Sequence, residues 1–197
     1  MKQLVLATRN AGKLKEFGEL LGPLNSEILS LSDLSINADF EESGNSFAEN
    51  SRLKAISCSK LTILPVLADD SGLEVEALGG KPGIHSARYA GPGATDLDRI
   101  RKLLSELASC GGERSARFVC RLSLAKQGAL LLESEGECRG LITERPRGTN
   151  GFGYDPVFLF PELGRTYAEL SNAEKNRYSH RARAVASLLC RINFLSL

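Results

Sequence analysis

Short apolar runs and polar loops alternate along this chain, and the spacing of the apolar residues changes from run to run. The run from Gln3 to Ala7 is almost wholly apolar, which predicts a buried strand. After it, Leu14, Phe17, Leu20 and Leu21 recur at helical spacing. The N-terminal pattern therefore predicts a strand, a polar loop and a helix, in that order.

The next segment continues this alternation. Ile28 to Leu31 predicts a second strand, and Ser46 with Glu49 forms a capping-box pattern at the start of a helix. Pro65 to Asp69 predicts the next strand, and Leu73 to Leu78 predicts a separate one after it.

A further helix is predicted in the middle of the chain. Thr95 is a suitable helix cap, and four apolar residues after it share one helical face: Leu97, Ile100, Leu104 and Leu107. This stripe is typical of a helix that packs on a core.

The second half of the chain is richer in strands. Phe118 to Leu124, Leu130 to Cys138 and Val157 to Phe160 predict strands, and a last helix begins near Ser179 or His180. Alternating strands and helices followed by consecutive strands predict an α/β fold with a mixed sheet.

Composition and charge narrow the function classes. Lys and Arg number 25 against 24 Asp and Glu, a net charge of +1, so we expect no general attraction to nucleic acid or to an anionic membrane. Five cysteines without a C-x-x-C pair predict reduced thiols and no zinc site. The N-terminus is unlike a signal peptide, and no apolar run approaches the ~20 residues of a membrane helix. We therefore expect a cytoplasmic protein.

Two adjacent carboxylates follow the apolar run that ends at Ala68. We expect Asp69 and Asp70 to lie at the end of a buried strand, with Ser71 and Gly72 forming a turn. Because strand side chains alternate between faces, one carboxylate would face the chemistry while the other braces the turn. The alternative is a turn that only satisfies its own backbone amides.

The loop between the first strand and the first helix is a candidate phosphate-binding loop. It consists of Thr8, Arg9, Asn10, Ala11, Gly12 and Lys13. Free N–H groups and the helix dipole at a helix start favour a phosphate. This loop is not a Walker A loop, because the first glycine of that motif is absent and Leu14 replaces the Ser or Thr that would hold magnesium. An ordinary helix cap is the alternative.

Glu41 and Glu42 lie in an acidic loop. With Asp69 and Asp70 they supply the hard oxygen ligands that Mg²⁺ prefers. Solvated surface charge is the alternative for the two glutamates.

Gly148 to Pro156 contains three glycines around Phe152. Glycines permit close backbone approach, and a ring presented in this way can stack on a purine, although a ring packed inward is the alternative. Farther along, Lys175, His180 and Arg181 lie at a helix junction, where they either bind a base edge or a phosphate or form a solvated first turn.

Five motifs together resemble one known family. They are ATRNAGKLKE, FAEN with Lys54, LADDSGLEVEALGG with PGIHSARYAG, GFGYDPVF, and AEKNRYSHRARA. In this order, from Met1 to Arg183, they closely resemble the inosine triphosphate pyrophosphatase family, the non-standard purine NTP pyrophosphatases that include bacterial dITP/XTP pyrophosphatase. The resemblance implies one nucleoside triphosphate pyrophosphatase domain over residues 1–197. It also implies an elongated α/β fold with a long mixed central sheet flanked by helices, and two lobes with the active-site cleft between them.

The resemblance also implies an activity and an assembly. The expected reaction is Mg²⁺-dependent hydrolysis of dITP, ITP and XTP to the monophosphate and pyrophosphate. The expected role is to remove deaminated purines from the nucleotide pool, and the expected assembly is a homodimer. The resemblance implies neither a nucleic-acid partner nor a membrane partner.

Specific residues inherit roles through the matching motifs. Asp70 is implied as the general base and as a metal-linked carboxylate, with Glu41 or Glu42 as the other acidic ligand. Thr8, Asn10 and Lys13 are implied to grip the triphosphate, with help from Lys54. The rest of the Thr8–Lys13 loop and Ser71 are implied as substrate contacts.

The base end of the implied site lies later in the chain. Phe152 would stack on the purine, with Gly153, Tyr154 and Asp155 completing that wall. The residues implied to bind the purine edge are Lys175, His180 and Arg181.

Two other functions fit parts of the same pattern. A Maf-like nucleotide pyrophosphatase would keep the metal and triphosphate chemistry but would not need the purine wall around Phe152. A nucleotide-binding or RNA-binding module could use the basic and aromatic residues without chemistry at Asp70, although a near-neutral charge argues against RNA.

Overall fold

The computed structural model describes residues 2–38, 40, 43–111 and 113–192. Within these ranges the strands and α-helices are, in chain order, β1 Gln3–Leu6, α1 Ala11–Leu20, β2 Glu27–Ser30, α2 Phe47–Ser59, β3 Val66–Val75, α3 Asp96–Ala108, β4 Ser115–Lys126, β5 Ala129–Ile142, β6 Phe158–Phe160, β7 Arg165–Thr166, α4 Asn172–Tyr178 and α5 His180–Ile192. Short 3-10 helices lie between them, at Gly22–Leu24, Glu76–Leu78, Gly83–Arg88, Asp155–Val157, Pro161–Leu163 and Tyr167–Glu169.

The seven strands form one mixed sheet in the order β2-β1-β3-β4-β5-β6-β7. β1 is parallel to both β2 and β3, with Leu4 opposite Ile28 and Leu6 opposite Leu67. β6 is antiparallel to both β5 and β7. The prediction of an α/β fold with a mixed sheet is therefore confirmed.

The described residues divide into two compact units. The first comprises the described residues of Met1–Asp70, Cys120–Gly136 and His180–Leu197, and the second those of Ser71–Val119 and Glu137–Ser179. The single domain over residues 1–197 stays a prediction.

β1 is buried on both faces in the first unit. Leu4 and Leu6 pack in one apolar cluster with Phe17 of α1, whereas Val5 and Ala7 belong to a second cluster. Burial on both faces explains why this strand is a nearly continuous apolar run rather than an alternating one. The buried strand delivers the polar residues after Ala7 to the start of α1.

An aromatic cluster forms the core of the second unit. The rings of Phe118, Phe158 and Tyr167 pack against one another, with centroids between 4.5 and 5.7 Å apart. Tilted and stacked ring pairs of this kind stabilise a core beyond the contribution of their buried apolar area. Tyr154 and Val157, which follow Phe152 closely in the chain, are buried in the same core cluster.

α3 begins where the sequence predicts, but its buried face is different. Thr95 and Asp98 form a capping box, and Ile100, Leu103 and Leu107 are buried. Leu97 is 47% exposed, so its predicted place in the buried stripe is wrong. Leu97 is in the first turn of the helix, and Leu103 is the fully buried residue, whereas Leu104 is half-buried.

One predicted turn is absent from this part of the chain. β3 runs without interruption through Ser71 and Gly72 to Val75, so the two predicted strands on either side of them are one strand. The turn prediction was wrong because Ser and Gly favour turns only locally, whereas here the neighbouring strands supply the hydrogen-bond partners.

α4 and β7 were not predicted. α4 has seven residues and opens with a capping box between Ser171 and Glu174, and β7 has only two residues. Elements this short carry too little apolar periodicity to be recognised. Among the described residues, no helix has both the length and the apolar character needed to cross a membrane.

Candidate active site

The loop between β1 and α1 is ordered by its own polar side chains. The Asn10 side chain accepts a hydrogen bond from the backbone N–H of Lys13 at 3.0 Å, and the Thr8 hydroxyl accepts one from the N–H of Asn10 at 3.2 Å. The helix-cap alternative is thus realised by Asn10. These two hydrogen bonds connect residues at both ends of the candidate phosphate-binding loop, and the Arg9 guanidinium donates to the carbonyl of Ala38 at 3.0 Å.

Lys13 reaches from α1 to the first carboxylate of β3. Its ammonium lies 2.5 Å from Oδ2 of Asp69, and Asp69 is 1% exposed. Burial raises the pKa of Asp69, but the charges of Lys13 and Arg181 outweigh it and lower the pKa to about 2. Asp69 is therefore an anion at neutral pH, and it is paired with Lys13.

The other oxygen of Asp69 is occupied by a thiol. Cys120 of β4 donates to Oδ1 of Asp69 at 3.1 Å. Burial and the charge of Asp69 raise the pKa of Cys120 well above its ordinary value. Cys120 is thus an un-ionised hydrogen-bond donor in this network.

Asp70 is the next residue of the same strand. It is 7% exposed, and alternation along β3 turns its side chain to the face opposite that of Asp69. The ammonium of Lys54, from α2, donates to the backbone carbonyl of Asp69 at 3.2 Å. Lys13 and Lys54 therefore both contact Asp69, directly before the predicted general base.

Arg181 lies at the first turn of α5, in the first unit. It pairs with Glu16 of α1 at 2.9 Å, and its charge acts on Asp69. The neighbouring His180 is buried. Arg181 thus belongs to the cationic surroundings of Asp69, a connection that the sequence did not predict.

The second unit contains the loop around Phe152. Oδ2 of Asp155 accepts hydrogen bonds from the N–H of Phe152 at 2.9 Å and from the ammonium of Lys175 at 2.5 Å. Asp155 and Lys175 are each 3% exposed. The Lys175 ammonium lies 5.0 Å from the centroid of the Phe152 ring, a distance at which a cation is attracted to the ring face.

Gly151 is required by the same turn. Its φ is +75° and a Cβ there would collide with the Asp155 carboxylate, so a side chain would break the contact of Asp155 with Phe152. Phe152 is half-buried, with its backbone fixed on one side by Asp155.

Tyr154 lies in the core and not on a wall open to a ligand. It is buried, and its hydroxyl donates to the carbonyl of Ser86 at 3.0 Å. Any contact of Tyr154 with a base would therefore use its backbone. Ser71, in β3, is half-buried.

One family model matches nearly the whole chain. The model of the Ham1 family matches residues 4–190. The chain belongs to the Ham1 family.

Named relatives and solved Ham1 structures agree with this assignment. A dITP/XTP pyrophosphatase of Geobacillus kaustophilus is 51% identical over 95% of this chain and 93% of its own length. A dITP/XTP pyrophosphatase of Bacillus subtilis is 45% identical over 95% of this chain and 96% of its own length. The structure of a HAM1 protein from Coxiella burnetii superposes with a TM-score of 0.89 at 43% identity, covering 99% of this chain and all of that one. The resemblance stated from the motifs is thereby confirmed.

Of the three predicted metal ligands of this Ham1 protein, the structure describes only Asp70. Glu41 and Glu42 lie outside the described residues. In ranges 2–38, 40, 43–111 and 113–192, no three His, Cys, Asp or Glu side chains are grouped as a metal site. Lys13 and Cys120 contact the two oxygens of Asp69, whereas Asp70 supplies a carboxylate, the type of oxygen ligand that Mg²⁺ prefers.

Sequence reasoning missed several residues of these two clusters. Glu16, Asp96 and Cys120 contact Arg181, Gly153 and Asp69, respectively. From the sequence alone, Glu16 is an ordinary helix-surface charge, Asp96 a carboxylate at a helix start and Cys120 a core residue of a strand. Only their tertiary contacts connect them to the site.

Proposed function

We propose that this Ham1 protein is a nucleoside triphosphate pyrophosphatase that hydrolyses dITP, ITP and XTP to the monophosphate and pyrophosphate. Two considerations support the proposal: the names of relatives about half identical over nearly the whole chain, and the chemistry of the first unit. The observation that carries it is the convergence of Lys13 and Lys54 on Asp69, next to Asp70.

The first cluster is suited to the triphosphate. The backbone of the Thr8–Lys13 loop precedes the first turn of α1, where N–H groups and the helix dipole favour a phosphate. Lys13, held by Asp69, and Lys54, held by the Asp69 carbonyl, provide positive charge in fixed positions. Fixed cations stabilise phosphate charge that develops during the reaction.

Asp70 acts as the general base in this proposal. It takes a proton from water as the water oxygen attacks phosphorus, and the anhydride bond between the first and second phosphates breaks. The electron pair of that bond stays on the bridging oxygen, which leaves with pyrophosphate when the first phosphorus is attacked and with the monophosphate when the second is attacked. Asp69 does not take the proton, because its carboxylate stays ionised against Lys13.

Mg²⁺ is the cofactor of this proposal. Asp70, with Glu41 or Glu42, would hold it, since one or two carboxylates together with substrate phosphates suffice for magnesium. Bound magnesium supplies neutralisation of phosphate charge.

The second cluster is suited to the base. Phe152 stacks on the purine, and Lys175, aimed at the ring face by Asp155, donates to an acceptor on the base. A 6-oxo group accepts such a hydrogen bond, whereas the 6-amino group of adenine is itself a donor and opposes it. A mismatch of this kind costs several kcal/mol. Sites built in this way reject the wrong ligand by a factor of about 10⁴. Gly153 and Asp155 complete the proposed wall, with Tyr154 through its backbone.

His180 and Arg181 have separate parts in the proposal. His180, at the start of α5, is assigned to the purine edge. Arg181 is also assigned to the purine edge. In addition, it is held by Glu16, and its positive charge lowers the pKa of Asp69.

The deciding experiment measures pyrophosphate release with Mg²⁺ from dITP, XTP, ITP, ATP, GTP, dTTP and CTP at equal concentrations. The proposal predicts strong preference for the first three. Preference for the pyrimidine nucleotides would instead support the Maf-like alternative, and absence of turnover would contradict the proposed activity.

Asp70→Asn tests the assignment of the base. We expect kcat to fall by about 10²-fold or more, while a nucleotide analogue still binds. Asp33→Asn, which alters an exposed carboxylate, is the matched control and should keep full activity. Unchanged turnover in Asp70→Asn would refute the role given to Asp70.

The homodimer and the cytoplasmic location are also part of the proposal. Both come from the resemblance to the family. Sedimentation analysis at micromolar protein should give the mass of two chains, and a single 21.3 kDa species would contradict the dimer.

A further inference from the structure

The first turn of α3 contacts the loop that carries Phe152, within the second unit. Oδ2 of Asp96 accepts a hydrogen bond from the backbone N–H of Gly153 at 2.7 Å. Asp96 lies at the first position of the helix, where a carboxylate is favoured by the helix dipole. Its contact with Gly153 joins two segments 57 residues apart in sequence.

Asp96 is itself held in place. Its other oxygen pairs with the guanidinium of Arg99, one turn along the same helix. Arg99 donates in addition to the carbonyls of Ala87 and Ala94, at 3.0 and 2.7 Å. The carboxylate therefore has a fixed direction before it meets Gly153, which lowers the entropic cost of the contact.

Two carboxylates consequently fix the backbone on the two sides of the Phe152 side chain. Asp155 accepts from the N–H of Phe152 itself, and Asp96 accepts from the N–H of the next residue. Rotation of the peptide after Phe152 would break the second contact, and rotation of the peptide before it would break the first. The two peptide groups that flank the Cα of Phe152 are therefore each held by a carboxylate.

The two contacts differ in their surroundings. Asp155 is buried and bound to Lys175, whereas the Asp96 side chain is 45% exposed. Loss of Asp155 would leave a buried ammonium unpaired, at large cost to folding. Removal of the half-exposed Asp96 side chain would release the N–H of Gly153 without leaving a buried ammonium unpaired.

We propose that Asp96 is a positioning residue for Phe152: its hydrogen bond to Gly153 holds the ring in the orientation that stacks on the purine. This inference rests on the proposed function for the identity of the ligand. It assigns no contact between Asp96 and the substrate. Its consequence is that base affinity depends on the first turn of α3.

Asp96→Ala, Asp96→Asn and Asp98→Ala form the test series. Asp96→Asn keeps an oxygen that can accept from Gly153 but removes the ion pair with Arg99. Asp98→Ala is the control, because Asp98 is in the same turn and its carboxylate binds Thr95 and Arg101. It weakens the helix cap without touching the Phe152 loop.

The first readout is steady-state hydrolysis of dITP. Asp96→Ala should raise KM about five- to tenfold, the equivalent of one lost hydrogen bond, with kcat within about twofold of wild type. Asp96→Asn and Asp98→Ala should leave KM within about twofold. Equal KM increases in Asp96→Ala and Asp98→Ala would assign the effect to helix stability and overturn the proposal.

The second readout requires no substrate. Hydrogen exchange of the Gly153 amide, followed by NMR, should be faster in Asp96→Ala than in wild type and unchanged in Asp98→Ala. If wild-type protein fails to hydrolyse dITP, the proposed function fails, whereas the exchange experiment still decides whether Asp96 holds the loop. Unchanged exchange in Asp96→Ala, or faster exchange with unchanged KM in an active enzyme, overturns the inference.

Discussion

Asp69 and Asp70 are neighbours in the chain, but their contacts give them different chemistry. Asp69 is bound by Lys13 and by Cys120, and it serves to hold charge in place. In the proposed function, Asp70 is the carboxylate that takes the proton and holds the metal. Two identical side chains thus have different surroundings because side chains alternate between the two faces of one strand.

The pH dependence of stability follows from Asp69. Its pKa is lowered to about 2 in the folded protein, against about 3.9 when unfolded. A lowered pKa stabilises the fold above the unfolded pKa, and this stabilisation is lost as the pH falls through the folded pKa. We expect about 2 kcal/mol of stability to be lost through Asp69 between pH 5 and pH 2.

Denaturant unfolding of wild type and Asp69→Asn checks this expectation. The difference in unfolding free energy between the two proteins should shrink as the pH is lowered from 5 to 2. A difference that stays constant over this range would show that Asp69 is not held ionised by Lys13 and Arg181.

Phe152 leads to a second prediction at the residue scale. Stacking of a base on an aromatic ring contributes about 1–3 kcal/mol, so Phe152→Ala should raise KM for dITP about tenfold or more. Phe152→Tyr, which keeps the ring, should retain a KM near that of wild type. Equal KM values for Phe152→Ala and wild type would mean that the ring does not contact the base.

At the scale of elements, β5 and α5 approach each other closely in the first unit. A Cβ at Gly136 of β5 would collide with the backbone of His180 and Ala184. The hydroxyl of Ser134, two residues earlier, donates to the carbonyl of Ala184 at 3.0 Å. The start of α5, which carries His180 and Arg181, is thus positioned by small residues of a strand.

Gly136→Ala should therefore destabilise the protein by about 1–3 kcal/mol, as overpacking does. Gly18→Ala is the matched control, since a Cβ at this exposed helix position meets no atom within 4 Å. Alanine there should be neutral or stabilising by about 1 kcal/mol. Chemical denaturation of both variants measures the contrast, and equal stabilities would refute the close packing of α5 on β5.

At the scale of the whole molecule, charge separates the enzyme from an RNA-binding module. The net charge is +1, and sequence-independent binding to nucleic acid needs a clear excess of cations. We expect no binding of a single-stranded RNA at about 0.15 M salt, measured by fluorescence anisotropy. Micromolar affinity that weakens with salt would favour the binding module over the enzyme.

The sequence by itself determined the element types with long, regular apolar patterns and the family. The buried run before Thr8, the capping residues Ser46 and Thr95 and the start of α5 are local signals, and local signals persist in the folded chain. The candidate phosphate loop and the Phe152 loop were found in the same way, because glycines and polar residues between apolar runs mark such loops.

Only the tertiary structure decided which residues contact one another. β3 passes through Ser71 and Gly72 because neighbouring strands outweigh their turn preference. Glu16 meets Arg181 and Asp96 meets Gly153 across 165 and 57 residues of sequence. Contacts over such distances depend on packing of the whole fold, and no local pattern encodes them. The sequence supplied the candidate groups for the chemistry, and the fold determined the contacts of those that lie within the described residues.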